Sequence, residues 1–394
     1  MTAPLSLAAL GLVNALGRGK AEVAARLFRA SSHALSCEEG WIPDRAAWVG
    51  RVPGALSELP PALAADRSRA TGLLLAALEE LRPELDALRA RVPSSRIAVV
   101  LGTSTSGIAE GEAAVAWHRL HGALPEGYRY RQQEIGRLAP FLAEYLGLSG
   151  PALTVSTACT SSGRAFLSAR NLIRAGLADA ALVGGCDSLC RLTLNGFASL
   201  ESVAEGPCNP MSRNRAGISI GEGAALFLLV RGEGPVQLLG VGESSDAHHL
   251  SAPDPEGKGA VAAIRAALVD ADLARVGYLN LHATATAKND AMESRAVAEL
   301  FPGGLPCSGT KPLTGHALGA AGATEAALCW LALHRDWNPE GFLPPHVWDG
   351  AADPELPALD LVRPGTRFAP GRRTALSNGF AFGGSNLVLA LGEA

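Results

Sequence analysis

The 394-residue chain contains no uninterrupted run of about 18 apolar residues, so no bilayer-spanning helix is expected. Its apolar opening "TAPLSLAALGLVNALG" lacks a basic lead and a small-residue cleavage site. It is expected to form the first strand and loop of the fold, not a signal peptide. Excess positive charge is missing as well: 34 Lys and Arg face 38 Asp and Glu, a net charge of −4. That balance gives no whole-molecule field for nucleic acid, and no such partner is expected. The seven cysteines are odd in number and scattered, which does not suit a disulfide framework and points to a cytoplasmic chain. Their one close pair, "CDSLC" at 186–190, has nothing nearby to complete a metal-ligand set; packed thiols are the expectation and no metal is predicted. What the chain does have is 48% hydrophobic residues against 18% charged, enough for a large buried core.

Strand-like and helix-like segments alternate. "RIAVVLGTSTS" (96–106), "ALTVS" (152–156) and "AALVGGCDS" (180–188) read as strands, with helices at 69–92 and 160–176. After "RGEGP" (231–235) the rhythm returns: strands at 236–246, 276–283 and 386–392, with helices at 259–273, 289–301 and 322–336. Such alternation predicts an α/β fold with buried sheets covered by helices. Two halves, 1–235 and 236–394, are expected to be similar in structure although they share no obvious repeated sequence. Residues 110–140, with "GYRYRQQ" inside, do not fit the rhythm and read as an insertion or cap.

Four islands can carry chemistry: "VSTACTSSGRAF" (155–166), "HATATAKNDAMES" (282–294), "GTKPLTGHALGAAGATEA" (309–326) and "SNGFAFGGSN" (377–386). Each is expected at a strand end, where reactive groups of α/β proteins collect. The last is read as a glycine-rich connection between two strands. Cys159 precedes an amphipathic helix, so two local readings stand: a small packed cysteine, or a nucleophile whose pKa the helix N-terminus lowers. His282 and His316 are each either satisfied polar residues or proton donors near neutral pH. "GISIGEG" (217–223) superficially suggests a phosphate loop, but its apolar flanks make a hairpin the expectation and no nucleotide site is predicted.

Taken together and in order, the islands resemble the β-ketoacyl-acyl-carrier-protein synthases, the elongating ketosynthases of fatty acid and polyketide synthesis. "STACTSS" matches the family's "TAC" nucleophile motif, "HATAT" its "HGTGT"-like motif, "GHALGAAG" its "GHxxGAAG", and "FAFGG" its "FGFGG". Lys311 occupies the lysine of "KxxxGH". Weaker matches at "DRSR" (66–69), "NPMSRNRAGISIGEGAA" (209–225) and "SSDAHHLSAPDPEG" (244–257) extend the resemblance over nearly the whole chain. Departures are Ala283 and Ala285 in place of glycines and Ala287 in place of proline. The added methyls are expected to narrow the carrier-arm tunnel or shift His282, as in a divergent branch making a specialised polyene (an aryl polyene, for example) or polyketide.

The resemblance implies a thiolase-like fold: two similar halves in a five-layer α–β–α–β–α arrangement, with the site where they meet. It implies Cys159 as nucleophile, His282 and His316 as donors to an enolate, and Lys311 as a supporting cation. The backbone N–H groups of Cys159 and Phe382 would form the oxyanion hole, with Phe382 as gate and Phe380 packed beside it. Thr284 and Thr286 would bind pantetheine; Asp290, Glu293 and Glu325 would be structural carboxylates tethering loops. His248 and His249 are expected to pack a loop or an interface. No cofactor of its own is implied, because substrates ride on the phosphopantetheine of acyl carrier protein. That acidic partner would meet a basic rim, with Arg67, Arg69, Arg129, Arg131, Arg213 and Arg215 as candidates. A homodimer, or a heterodimer with a ketosynthase-like chain-length partner, is expected. The alternatives are a non-catalytic chain-length-setting subunit, another thiolase-fold enzyme, or a cysteine hydrolase built from Cys159, His282 and Asp290.

Overall fold

Long apolar runs with side chains alternating between two faces build the scaffold, described by a computed structural model over residues 3–56 and 58–394. The first half begins with β1 (Leu5–Asn14), β2 (Gly17–Arg18), α1 (Lys20–Leu27), β3 (Ser36–Ile42), β4 (Arg45–Val49) and α2 (Arg69–Arg89). It continues with β5 (Ile97–Gly102), α3 (Ile108–His121), α4 (Leu138–Leu146), β6 (Ala152–Val155), α5 (Ser161–Arg174), β7 (Ala180–Asp187), α6 (Arg191–Ser199) and β8 (Gly223–Arg231). The second half opens with β9 (Val236–Ser245), α7 (Lys258–Asp270), β10 (Tyr278–Leu281), α8 (Ala287–Leu300) and β11 (Cys307–Gly309). It closes with α9 (Lys311–Thr314), α10 (Ala321–Leu333), β12 (Thr374–Ala381) and β13 (Ser385–Glu393).

The strands run in the order β11-β10-β12-β13-β9-β1-β8-β7-β5-β6. Two five-stranded sheets with one plan meet where β1 touches β9 through Ser6 and Gln237. In the first, β1, β8 and β7 are antiparallel neighbours, while β7, β5 and β6 are parallel. In the second, β9, β13 and β12 are antiparallel neighbours, while β12, β10 and β11 are parallel.

Alternation along each strand divides the core into layers. Ala98 and Val100 of β5 face a central cluster with Phe166 of α5 and Ala327 of α10. Ile97, Val99 and Leu101 face α2 and α4 on the outside. In the second sheet, Leu387 and Leu389 of β13 face the same central helices, while Val388 and Ala390 face α7 and α8. The result is α–β–α–β–α, as the resemblance implied. Every residue of α10 is buried, as expected of a helix sandwiched between two sheets. Helix α2 starts at a capping box: Ser68 Oγ accepts from the Thr71 N–H at 3.1 Å, and Thr71 Oγ1 from the Ser68 N–H at 3.0 Å.

One reading of the sequence changes here. "GISIGEG" is no hairpin: it is extended, with single bridges from Ile218 to Val203, Ile220 to His316 and Gly221 to Gly50. Its partners come from distant segments because it threads between the halves. "SNGFAFGGSN" joins β12 to β13 as expected, its turn confined to Phe382–Gly384, where Gly383 and Gly384 have φ of 84° and 75°. The 110–140 segment holds most of α3 and two short 3-10 turns, Tyr130–Gln132 and Ile135–Arg137, and runs into the start of α4.

Candidate active site

Cys159 lies in the turn from β6 into α5. Ala158 before it is left-handed, with φ 52°, a strained conformation for a residue with a Cβ. Hydroxyls hold the turn: Ser161 Oγ donates to the Ala158 carbonyl at 2.6 Å and accepts from the Thr157 N–H at 2.9 Å. Thr160 Oγ1 donates to the Thr157 carbonyl at 2.8 Å and meets Ser385 Oγ at 3.0 Å.

The second half supplies the partners. His316 stands between α9 and α10, where its N–H donates to the Ser219 carbonyl at 2.7 Å and its carbonyl accepts from Gly221 at 3.0 Å. The extended "GISIGEG" segment therefore clamps the histidine loop. His316 Nε2 lies 3.2 Å from Cys159 Sγ, and its Nδ1 accepts from the Leu318 N–H at 3.3 Å. The Leu318 contact leaves Nε2 as the protonated nitrogen, directed at the sulfur.

His282 follows β10, with its ring centroid 5.3 Å from that of His316, edge to face. Lys311 Nζ lies 3.4 Å from His282 Nδ1 and also donates to the His282 carbonyl and to Glu325. The ammonium beside Nδ1 makes Nε2 the N–H of the neutral ring, and the ring lies close to the Phe380 backbone. Phe380 packs on His282 at 6.0 Å between centroids. Cys159, His282 and His316 each bring a donor atom within 4.8 Å of the other two.

Burial governs the electrostatics. The Cys159 thiol is pushed up to about 11 by desolvation, with Lys311 pulling the other way. This reverses the expectation of a lowered pKa: a helix N-terminus offers less than full burial removes. Both histidines are held well below the ordinary imidazole range, first by burial and then by the Lys311 cation. At neutral pH the centre is thus a protonated thiol beside two neutral imidazoles.

The carboxylates face backbone. Glu293 accepts from the N–H groups of His282 and Ala283, each at 2.7 Å, and from Asn378 Nδ2 at 2.9 Å; burial raises it to about 7. Asp290 accepts from Met211 N at 2.8 Å and Ala285 N at 3.2 Å, and burial raises it to about 6. It does not face His282, whose ring nitrogens meet Lys311 and Phe380, so no Cys–His–Asp hydrolase triad forms.

A cavity of about 450 Å³ opens onto this centre, lined by Cys159, His282, His316, Thr284, Thr286 and Phe382 among others. The Thr284 and Thr286 hydroxyls lie 2.9 Å apart. Phe382 is 39% exposed and its ring rests 5.4 Å from that of Phe197. Sequence reasoning missed Phe197 and Ser219, which carry no local signal.

Two other expectations are corrected. Ala283 and Ala285 are left-handed, at φ 38° and 63°, and fully buried. Neither methyl lines the cavity: Ala283 packs against the side of Gly309 that bears no Cβ, and Ala285 lies against Leu35 and Cys208. Of the rim arginines, Arg69 pairs with Glu222, Arg131 with Asp66 and Arg215 with Asp353. Arg67, Arg129 and Arg213 are exposed. His249 packs its own loop by accepting from Ser251 N at 3.1 Å, and His248 is exposed.

The family model for the beta-ketoacyl synthase N-terminal domain matches residues 43–234, and that for its C-terminal domain matches residues 236–343. A nodulation protein E of Rhizobium sp. (strain N33) is 35% identical over 314 residues, covering 75% of each chain. The 3-oxoacyl-[acyl-carrier-protein] synthase 2 of Synechocystis sp. is 34% identical over 265 residues, covering 62% of each. Among solved structures, a chain of the ketosynthase–chain length factor complex of Xenorhabdus doucetiae is 45% identical at TM-score 0.92, covering 100% of this chain and 98% of that one. The ishigamide ketosynthase/chain length factor is 27% identical at TM-score 0.89, covering 100% of both. With this fold and these matches, the chain belongs to the β-ketoacyl synthase family.

Proposed function

We propose that this chain is the condensing subunit of a β-ketoacyl synthase, joining an acyl group held on Cys159 to a malonyl unit delivered by acyl carrier protein. The observation that carries the reading is the pair of neutral histidines, each with Nε2 as its N–H, around a sulfur 3.2 Å from one of them. A binding subunit without catalysis has no use for that set, which counts against the chain-length-setting alternative.

In the first half-reaction Cys159 Sγ attacks the carbonyl carbon of an acyl thioester. The thiol proton leaves with the pantetheine sulfur, and the backbone N–H groups of Cys159 and Phe382 hold the transient oxyanion. In the second, malonyl thioester loses CO2 while the N–H groups of His282 and His316 hold its oxygen as an enolate. The enolate carbon then attacks the Cys159 thioester, the sulfur departs, and a β-ketoacyl thioester two carbons longer results. Neutral imidazoles suit this role, since an imidazolium would hand its proton to the enolate and quench it. Lys311, fixed by Glu325, keeps the His282 ring in its tautomer. Thr284 and Thr286 line the mouth where the pantetheine amides would lie, and Phe382 against Phe197 forms the gate.

The division into residues 1–235 and 236–394 belongs to the same reading; β8 ends at Arg231 and β9 begins at Val236. No described helix is long and apolar enough to cross a membrane, which accords with a cytoplasmic enzyme. Both quoted neighbours are ketosynthases with chain length factors, so a heterodimer with such a factor is the favoured assembly. The product class is a specialised polyene or polyketide. The test is intact-mass analysis after mixing with acyl-carrier protein, then with malonyl-carrier protein, with and without a co-expressed chain-length partner. An adduct absent from Cys159→Ala and a product two carbons longer are expected; an adduct that survives in Cys159→Ala contradicts the reading.

A further inference from the structure

One buried charge next to the site has no part in the mechanism above. Asp187 ends β7, is fully buried and faces no cation among the described residues; every described partner of its carboxylate is a neutral donor. Thr103 Oγ1 donates at 2.5 Å, Ser104 N at 2.8 Å, Thr105 N at 2.8 Å, Thr105 Oγ1 at 2.9 Å and Ala320 N at 3.2 Å. The first four donors belong to the loop after β5, in the first half; Ala320 belongs to the His316 loop of the second.

The same short loop reaches the nucleophile. Ser104 Oγ donates to the Ala158 carbonyl at 3.4 Å, one residue before Cys159. Gly319, next to Ala320, lies so close to Ser104 that a Cβ there would meet Ser104 N at 2.6 Å. Three non-glycine residues around this junction are left-handed: Ser106 at φ 45°, Ala158 at 52° and Leu318 at 49°. Such conformations persist only where neighbours over-determine them; Asp187 is the acceptor that gathers the loops of Ser106 and Leu318, and the Ala158 turn is tied to it through Ser104.

We propose that Asp187 is a positioning residue for both half-reactions: one carboxylate holds the His316 loop through Ala320 and the loop after β5, whose Ser104 in turn holds the Cys159 turn, and so sets the sulfur-to-imidazole geometry. Removing a single acceptor oxygen leaves buried N–H groups facing an N–H2, and the two loops separate. This inference rests on the ketosynthase reading.

The test compares wild type, Asp187→Asn and Ser104→Ala, each as the full chain with any partner subunit it requires. Acyl transfer to Cys159 and decarboxylation of malonyl-carrier protein are measured in single turnovers, alongside steady-state kinetics and thermal unfolding. Asp187→Asn is expected to slow both steps on the order of 100-fold, a cost typical of ångström-scale misplacement, while KM stays within about twofold. Ser104→Ala, which touches only the nucleophile turn, is expected to slow acyl transfer by about tenfold and spare decarboxylation. Wild-type rates per folded molecule in Asp187→Asn, whatever its melting temperature, would overturn the proposal. If that variant does not fold, unchanged acyl transfer in Ser104→Ala overturns it. A wild type that performs neither step defeats the functional reading itself, independently of Asp187.

Discussion

The two halves share one strand order and place their reactive loops at the same ends of their parallel strands, yet they carry different chemistry. The turn after β6 presents a thiol on a strained backbone, whereas the loop after β11 presents Lys311 and His316. The loop after β5 offers hydroxyls and N–H groups to Asp187, whereas the loop after β10 offers His282, Thr284 and Thr286 to the cavity. The scaffold thus supplies position twice, and in the proposed reaction the residues divide the labour: covalent capture in the first half, enolate stabilisation in the second. Neither half contains a complete site.

The comparison breaks most severely if the second half's donors are removed. His282→Ala and His316→Ala are each expected to lower condensation by about 10²–10³-fold, the usual cost of losing one oxyanion donor; steady-state product assays check this. Next comes stability. Lys311→Ala strands Glu325 in the core and is expected to cost about 3–5 kcal/mol, read from denaturant unfolding. Replacing Lys311 and Glu325 together by apolar residues is expected to recover much of that loss. Glu293→Ala abandons three buried donors and is expected to cost about 2–3 kcal/mol, with His282 displaced.

Two gentler tests sharpen the contrast. With the Cys159 thiol at about 11, its alkylation by iodoacetamide is expected to rise about tenfold per pH unit from 7 to 10, without a plateau near neutrality. Stability should move in the opposite direction with pH through Glu293 and Asp290. Both bind protons more tightly folded than unfolded, from 4.5 to about 7 and from 3.8 to about 6. Their contribution is therefore full below pH 4 and is lost as pH rises toward 7, which urea midpoints across that range will show. Smallest is Ala285→Gly, where relief of left-handed strain and loss of a buried methyl nearly offset, giving a change within about 1 kcal/mol.

Much of the scaffold was legible because period-2 apolar runs and amphipathic helices report burial directly: the expected helix 160–176 is observed as Ser161–Arg174, and the strand 236–246 as Val236–Ser245. The identity of the site residues came from motifs in order, not from local chemistry, which favoured reading Cys159 as a packed thiol. Three features were hidden. The thiol pKa depends on total burial, which no single segment encodes. The partner of "GISIGEG" at His316 lies far along the chain, so that role exists only in the assembled fold. Arg69 and Glu222, 153 residues apart, pair across the first half, so the arginine reads as a free basic residue until the fold closes.

In the proposed reaction, capture and decarboxylation are separable functions of the two halves. The direct measurement is both half-reactions in Cys159→Ala and in the His282→Ala/His316→Ala double variant, by intact mass for acyl transfer and by CO2 release from malonyl-carrier protein. A crossed result is expected: Cys159→Ala takes no acyl group but still releases CO2, while the histidine variant takes the acyl group and releases almost none. Loss of both steps in both variants, or CO2 release undiminished without the histidines, would contradict it.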